Sequence, residues 1–204
     1  MRTYIKKWKP VELALLAALA LALVSGAASL GRQDALQEKM IRLHVIANSD
    51  SASDQTMKLR ARDAVLSRAE DILRQAADRP DAQARLRTAL PELEQAAFDA
   101  CGGSYPVRAE LTMTEFPLKE YDGFALPAGE YLALRVIIGE GAGRNWWCVV
   151  YPPLCTGSVT EAASETAALD DEDVRLITED GTEYVLRFRL MELWGQIFNR
   201  MGTE

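Results

Sequence analysis

The chain has 204 residues, 49% of them hydrophobic and 26% charged, a composition that excludes a disordered or low-complexity protein and suits one domain with length left for a targeting segment. Its 30 acidic and 23 basic residues give a net charge of −7. That balance excludes sequence-independent binding to nucleic acid and attraction to an anionic membrane surface, both of which rest on excess Lys and Arg.

The first thirty residues stand apart. Met1 to Pro10 carries Arg2, Lys6, Lys7 and Lys9 with no acid. Leu13 to Val24 is then an uncharged run of Leu, Ala and Val, followed by the small residues Ser25, Gly26, Ala27, Ala28 and Ser29. This is the layout of an export signal. Two readings stand open: cleavage near Ala27 or Ala28, and an uncleaved anchor, because about 18–20 apolar residues suffice to span a bilayer. Glu12 at the edge of the run is unfavourable for either. The predicted division is residues 1–30 as signal peptide or membrane anchor and 31–204 as a single extracytoplasmic α+β domain. Residues 1–27 hold four basic side chains and one acidic, so the remainder carries 19 against 29, a net charge of −10.

Gln33 to Lys39 is polar and reads as a helix or a linker. Met40 to Asn48 reads as a strand, with Ile41, Leu43, Val45 and Ala47 on its core face and Arg42, His44, Ile46 and Asn48 on a mixed one. Asn48-Ser49-Asp50-Ser51 is a turn, and Ser51 with Asp54 matches a helix-capping box. The helix that follows buries Met57, Ala61, Ala64, Val65, Ala69, Ile72 and Leu73, while Asp54, Lys58 and Arg62 stack four apart on what reads as an exposed mixed-charge stripe. Arg79-Pro80-Asp81 reads as a break before a second helix over 82–100, with Pro91 predicting a kink or a new start.

Beyond Gly102-Gly103 the period becomes two. Strands are predicted over 106–116, 130–138 and 146–151, with a loop over 121–129. Gly139 to Asn145 resembles a phosphate loop only superficially. It lacks the Lys-Ser or Lys-Thr pair and joins strand to strand, so it reads as a hairpin connection. Residues 156–173 form a polar surface excursion, Asp170 to Asp173 a solvated charge run, and Tyr184 to Trp194 a strand turning helical. The predicted fold class is α+β: a largely antiparallel sheet with helices packed on one face, in the order strand, two helices, strands, and a last strand or helix.

Chemistry that needs an imidazole has only His44 to use. Ser49 and Ser51 are explained by the turn and the cap, and no Gly-x-Ser-x-Gly elbow is present. The spacing of Cys148 and Cys155 lacks a second pair for zinc, and no motif for a cofactor or metal is found. Those two cysteines flank Pro152-Pro153 and form either a disulfide or two buried thiols. Adjacent Trp146 and Trp147 must point to opposite faces of their strand, one towards the core and the other towards a helix, a loop or a partner.

Three segments, IRLHVIANSDSASDQTMKLRARDAVL, LPAGEYLALRVIIGEGAGRNWWCVVYPPLC and VLRFRLMELW, together with the N-terminal export layout, closely resemble the stage II sporulation protein R family of endospore-forming bacteria. The resemblance implies a secreted signal, not an enzyme. Family members are made in the forespore and exported to the space between the forespore and mother-cell membranes. There they activate a membrane-embedded aspartyl protease of the mother cell, which matures the pro-form of sigma-E. The implied partner is the extracytoplasmic region of that protease, with membrane contact only through the N-terminal segment. The competing hypothesis is an exported hydrolase acting on wall or peptide substrates through His44. The expected contact surface comprises His44, Asn48, Asp50, Asp54, Gln55, Lys58, Arg62, Asp63, Trp146 and Trp147. A polar network locking strand to helix explains most of the same residues equally well.

Overall fold

A strand buried on both faces organises the structure. The computed structural model describes residues 5–121, 123–154 and 168–178. Its elements in chain order are α1 (Ile5–Glu38), β1 (Ile41–Ile46), α2 (Ala52–Leu73), α3 (Arg79–Ala100), β2 (Val107–Phe116), β3 (Lys119–Tyr121), β4 (Phe124–Leu126), β5 (Gly129–Ile138), β6 (Asn145–Tyr151) and α4 (Asp171–Thr178). The main sheet has the order β2-β5-β1-β6, and β3 pairs with β4 in a separate small sheet. β1 runs parallel to β5 and antiparallel to β6, and β2 runs antiparallel to β5. The α+β class and the predominance of antiparallel pairing agree with expectation; the parallel pair lies at the centre.

On one face Ile41, Leu43 and Val45 join Leu132, Leu134, Val136, Cys148 and Val150 against Ala61, Val65, Ala69 and Leu73 of α2 and Leu86, Leu93 and Ala97 of α3. The other face is also covered, which the sequence reading of helices on one face did not anticipate. Leu36 of α1 and Met40 just after it, Phe124 and Leu126 of the β3–β4 hairpin, and Ile177 of α4 close over Tyr131, Ala133 and Val149. Residues 33–39 are therefore no linker. Gln33 Nε2 donates to the Ala128 carbonyl at 2.8 Å, and Lys39 bonds Asp170 at 3.0 Å and also Asp173.

Local signals explain the helix ends. Ser51 caps α2 by accepting from the Asp54 amide, and Asp78 caps α3 in the same way from Asp81, with Pro80 in the first turn where a missing N–H is harmless. Pro91 neither breaks nor restarts α3, which runs through it. The acidic run is a helix start, not a solvated loop: Asp170 accepts from the amides of Glu172 and Asp173, and Asp173 accepts in return from the Asp170 amide. Residues 174–177 consequently belong to α4. The rest of the expected excursion, 156–167, and the expected strand over 184–194 lie outside the described residues.

The glycine-rich connection is not a hairpin. β5 and β6 flank β1, so the loop over 139–144 crosses the end of β1 and presses on the turn that follows it. The Ala142 amide donates to the Asn48 carbonyl at 3.1 Å and the Gly143 amide to the Ala47 carbonyl at 2.9 Å. Glycine is needed at two positions for different reasons. Gly139 has φ +56°, and a Cβ on Gly143 would collide with the Ser49 carbonyl.

Leu13, Leu15, Leu16, Leu19, Leu21, Leu23 and Val24 of α1 are all exposed, on every side of the helix. Among the described residues no helix is long and apolar enough to cross a membrane.

Candidate functional site

The residues singled out from the sequence separate into three places around the β1–α2 corner. The first is a polar lock. Asp54 is buried and accepts from Asn48 Nδ2 at 2.8 Å and Ser49 Oγ at 2.6 Å, while the Glu140 amide donates to Asn48 Oδ1 at 3.0 Å. The Arg144 amide donates to Asp50 Oδ1 at 2.7 Å, and Gln55 Nε2 donates to the Ser49 carbonyl at 2.9 Å. Lys58 is buried and donates to Gln55 Oε1 at 2.7 Å and to the Arg144 carbonyl at 3.0 Å. The turn, the helix and the crossing loop are thereby tied together. The hydroxyl of Ser49, the amide of Asn48 and further bonds from Tyr105 and Ser51 hold the Asp54 carboxyl below its ordinary range against the opposing effect of burial. Burial, with Arg144 and Arg62 adding to it, pushes the Lys58 ammonium down, opposed by Asp50.

This overturns the reading of Asp54, Lys58 and Arg62 as an exposed stripe. Asp54 and Lys58 share the buried face of α2 with Ala61, Val65 and Leu73, and they do not pair with each other. Charges at helical spacing resemble a solvated face, but here the covering element is a loop about ninety residues further on.

The second place is at the surface. The Arg62 guanidinium lies 4.3 Å from the centroid of the Trp146 ring and also pairs with exposed Asp63 at 2.6 Å. Trp146 is 37% exposed, and Leu59 on α2 is exposed to the same degree. Tryptophan and arginine stacked at the surface have the composition of an interface anchor.

The third place lies on the opposite sheet face. His44 is buried, stacked on Trp147 with ring centroids 3.8 Å apart, and meets Phe116 edge-on at 6.1 Å. Among the described residues neither imidazole nitrogen makes a hydrogen bond of ordinary geometry, although the Asn145 side chain lies near enough to act on the ring. Burial pushes the imidazole down to about 4, with Asn145 opposing the shift and Arg135 reinforcing it. A neutral, stacked ring with no nucleophile or carboxylate bonded to it is not arranged as a general base.

Sequence reasoning missed Arg42, which neighbours His44 along this face. Its side chain is fully buried, its Nη2 donates to the Tyr121 hydroxyl at 2.6 Å, and its guanidinium lies 4.0 Å from the Phe116 ring and 4.7 Å from that of Tyr131. A charged residue in the middle of an otherwise apolar strand, IRLHVI, was the available signal.

Of the cysteines, Cys101 is a buried free thiol and Cys148 is disulfide-bonded; Cys155, the partner expected from the sequence, lies outside the described residues. No group of side chains that could hold a metal ion occurs among the described residues.

Residues 37–161, which span all three places, match the family Stage II sporulation protein R (spore_II_R). The chain belongs to the stage II sporulation protein R family. It is also 30% identical over 189 residues to Stage II sporulation protein R of Bacillus subtilis (strain 168), covering 80% of this chain and 84% of that protein. No solved structure matches. The stage II sporulation protein R match begins in the last turn of α1, where that helix enters the core, and so includes the whole sheet, the polar lock and the Trp146–Arg62 patch.

Proposed function

We propose that this chain is an exported sporulation signal that binds the extracytoplasmic region of a membrane-embedded aspartyl protease and activates it to process the pro-form of sigma-E. Family membership is the observation that carries this reading. The basic, then apolar, then small-residue N-terminus supports export into the space between the forespore and mother-cell membranes. Leucines exposed on every side of α1 support a segment made for a translocation path or a bilayer, not for this domain's own core. His44 offers the competing hydrolase no accessible base.

A strain lacking this protein is expected to accumulate the sigma-factor precursor, read by immunoblot during sporulation. Normal processing in that strain would end the proposal.

We place the partner contact at Trp146, Arg62, Asp63 and Leu59, because Trp146, Asp63 and Leu59 are exposed and the half-buried Arg62 lies over the Trp146 ring, whereas Asn48, Asp54, Gln55 and Lys58 are occupied with the lock. Replacing both Trp146 and Arg62 by alanine is expected to weaken partner binding by about 2 kcal/mol or more, roughly thirtyfold, while leaving the unfolding midpoint within the small range of surface substitutions. Affinity measured beside urea denaturation checks this; parallel loss of binding and stability would return the patch to a structural role.

Export to an oxidising space also implies a Cys148–Cys155 disulfide. Mass spectrometry of the unreduced, alkylated protein is expected to find a single labelled cysteine, Cys101, and only after unfolding, because that thiol is buried. Labelling of all three would show the bridge is absent.

A further inference from the structure

The second face of the sheet concentrates buried polar atoms that lack partners. Of the eight such side-chain atoms among the described residues, six belong to this face: Arg42 Nε and Nη1, both ring nitrogens of His44, Arg135 Nε and Thr114 Oγ1. The strand register makes them neighbours. His44 stands opposite Arg135 on β5 and Trp147 on β6, Arg42 stands opposite Ala133 one pleat along, and Thr114 stands opposite Tyr131. Native interiors pair the great majority of their buried polar groups, so a cluster of exceptions calls for a cause.

Arg42 defines the chemistry required. Its guanidinium sits in the corner formed by Phe116 and Tyr131, 4.0 Å and 4.7 Å from their ring centroids, the two rings being set edge to face at 70°, and one nitrogen reaches Tyr121. The donors on Nε and Nη1 have no partner among the described residues. No carboxylate among the described residues pairs with Arg42. Among the described residues the acid paired to Arg135 is Glu110, 2.7 Å from its Nη1, which also faces Arg108 at 3.7 Å. Two guanidiniums therefore share one carboxylate on this face, in a chain whose net charge is −7.

We propose that this face receives a carboxylate side chain from an extended acidic segment of the partner protein, held by Arg42 and Arg135 with its methylene stem against His44 and Trp147. Unmatched cationic donors select an anionic acceptor, and a guanidinium recognises a carboxylate by paired N–H donation. The aromatic wall favours a carboxylate carried on an apolar stem over a free ion. Entry passes the β3–β4 hairpin, whose strands are three residues each and whose Tyr121 hydroxyl is bonded to Arg42. Binding swings that hairpin aside and substitutes the incoming carboxylate for the tyrosine hydroxyl.

This inference rests on the partner-binding reading above, but its test uses defined probes and can fail while that reading stands. His44 is the only histidine, so its ring protons give an unambiguous NMR signal inside the site. The purified full chain is titrated at constant ionic strength with acetyl-Gly-Glu-Gly-amide, with the glutamine counterpart, and with acetate. A saturable shift of the His44 signal with the glutamate peptide and none with the glutamine peptide is the expected result. Arg135→Gln is expected to weaken that binding about tenfold, as loss of a charged hydrogen bond implies, and Arg135→Lys to restore part of it, with unfolding midpoints near that of the unmodified protein. Equal shifts from both peptides, no saturation with the glutamate peptide, or saturation by acetate alone, which would make this an adventitious ion only, would each overturn the proposal.

Discussion

Arg42→Met is expected to stabilise the fold and abolish signalling. A guanidinium taken fully out of water without a carboxylate loses several kcal/mol of hydration. Two ring contacts return about 2 kcal/mol or more each when desolvated, and the bond to Tyr121 about 1.5–3 kcal/mol. The balance lies near zero or against the charge. Methionine fills a similar elongated volume between Phe116 and Tyr131 without that penalty, so a gain of about 1 kcal/mol is expected, by the same argument that makes apolar replacements of buried ions stabilising. Arg42→Ala, which leaves a void between the rings, is expected instead to cost about 2–4 kcal/mol. Urea denaturation, with the slope unchanged between variants, separates these outcomes. Precursor processing in cells carrying Arg42→Met reads the functional half. A methionine variant that is both clearly destabilised and active would mean that Arg42 is held for its aromatic contacts alone.

His44 sets a second large effect, in stability against pH. The free imidazole titrates near 6.5, and burial in the folded protein lowers this to about 4. Between those values the unfolded chain binds a proton that the native chain excludes, so stability rises with pH across the window. The contribution is fully present above pH 6.5 and is lost as pH falls to 4, for a total of about 3 kcal/mol. Urea midpoints are expected to report a loss of about 2 kcal/mol between about pH 7 and about pH 5. Phenylalanine at this position keeps the stack on Trp147 and has no proton to bind, so His44→Phe should flatten the dependence. The three carboxylates with depressed values do not mask the effect. Asp54, Asp81 and Asp170 are held below 3.8 by their hydrogen bonds, and their stabilisation is lost lower down, as pH falls from the ordinary carboxylate range through their depressed values. A slope unchanged in His44→Phe would show that another group carries it.

These two residues also show where the sequence was informative. Local chemistry was legible. Ser51 and the apolar spacing of α2 announced that helix, and the alternation in β2, β5 and β6 placed those strands within a residue or two, whereas Arg79-Pro80-Asp81, read as a break, is the first turn of α3. Spatial order was not. Nothing local says that β1 inserts between β5 and β6, because that pairing joins segments about ninety residues apart. For this reason the crossing loop over 139–144 read as a hairpin, and the lock it forms with Asp50, Asn48 and Lys58 stayed hidden. Asp54 and Lys58 then read as solvated, since the element that buries them was unknown. The adjacent tryptophans were resolved in principle by pleat geometry, and the structure assigns the sides: Trp147 to the stack on His44, Trp146 to the surface beneath Arg62. Arg42 was visible as a charge in an apolar strand, but its rings come from β2, β3 and β5, and only the assembled fold brings them together.

The proposed action of this domain is to bind a membrane-embedded protease through the Trp146–Arg62 surface. Direct binding of the purified protein to that protease in nanodiscs, measured for the unmodified chain and for the Trp146→Ala, Arg62→Ala double variant, tests it most closely. Saturable binding by the former, weakened roughly thirtyfold in the latter at unchanged fold stability, is the expected result. No binding by the unmodified chain, or equal affinity for both, would contradict it.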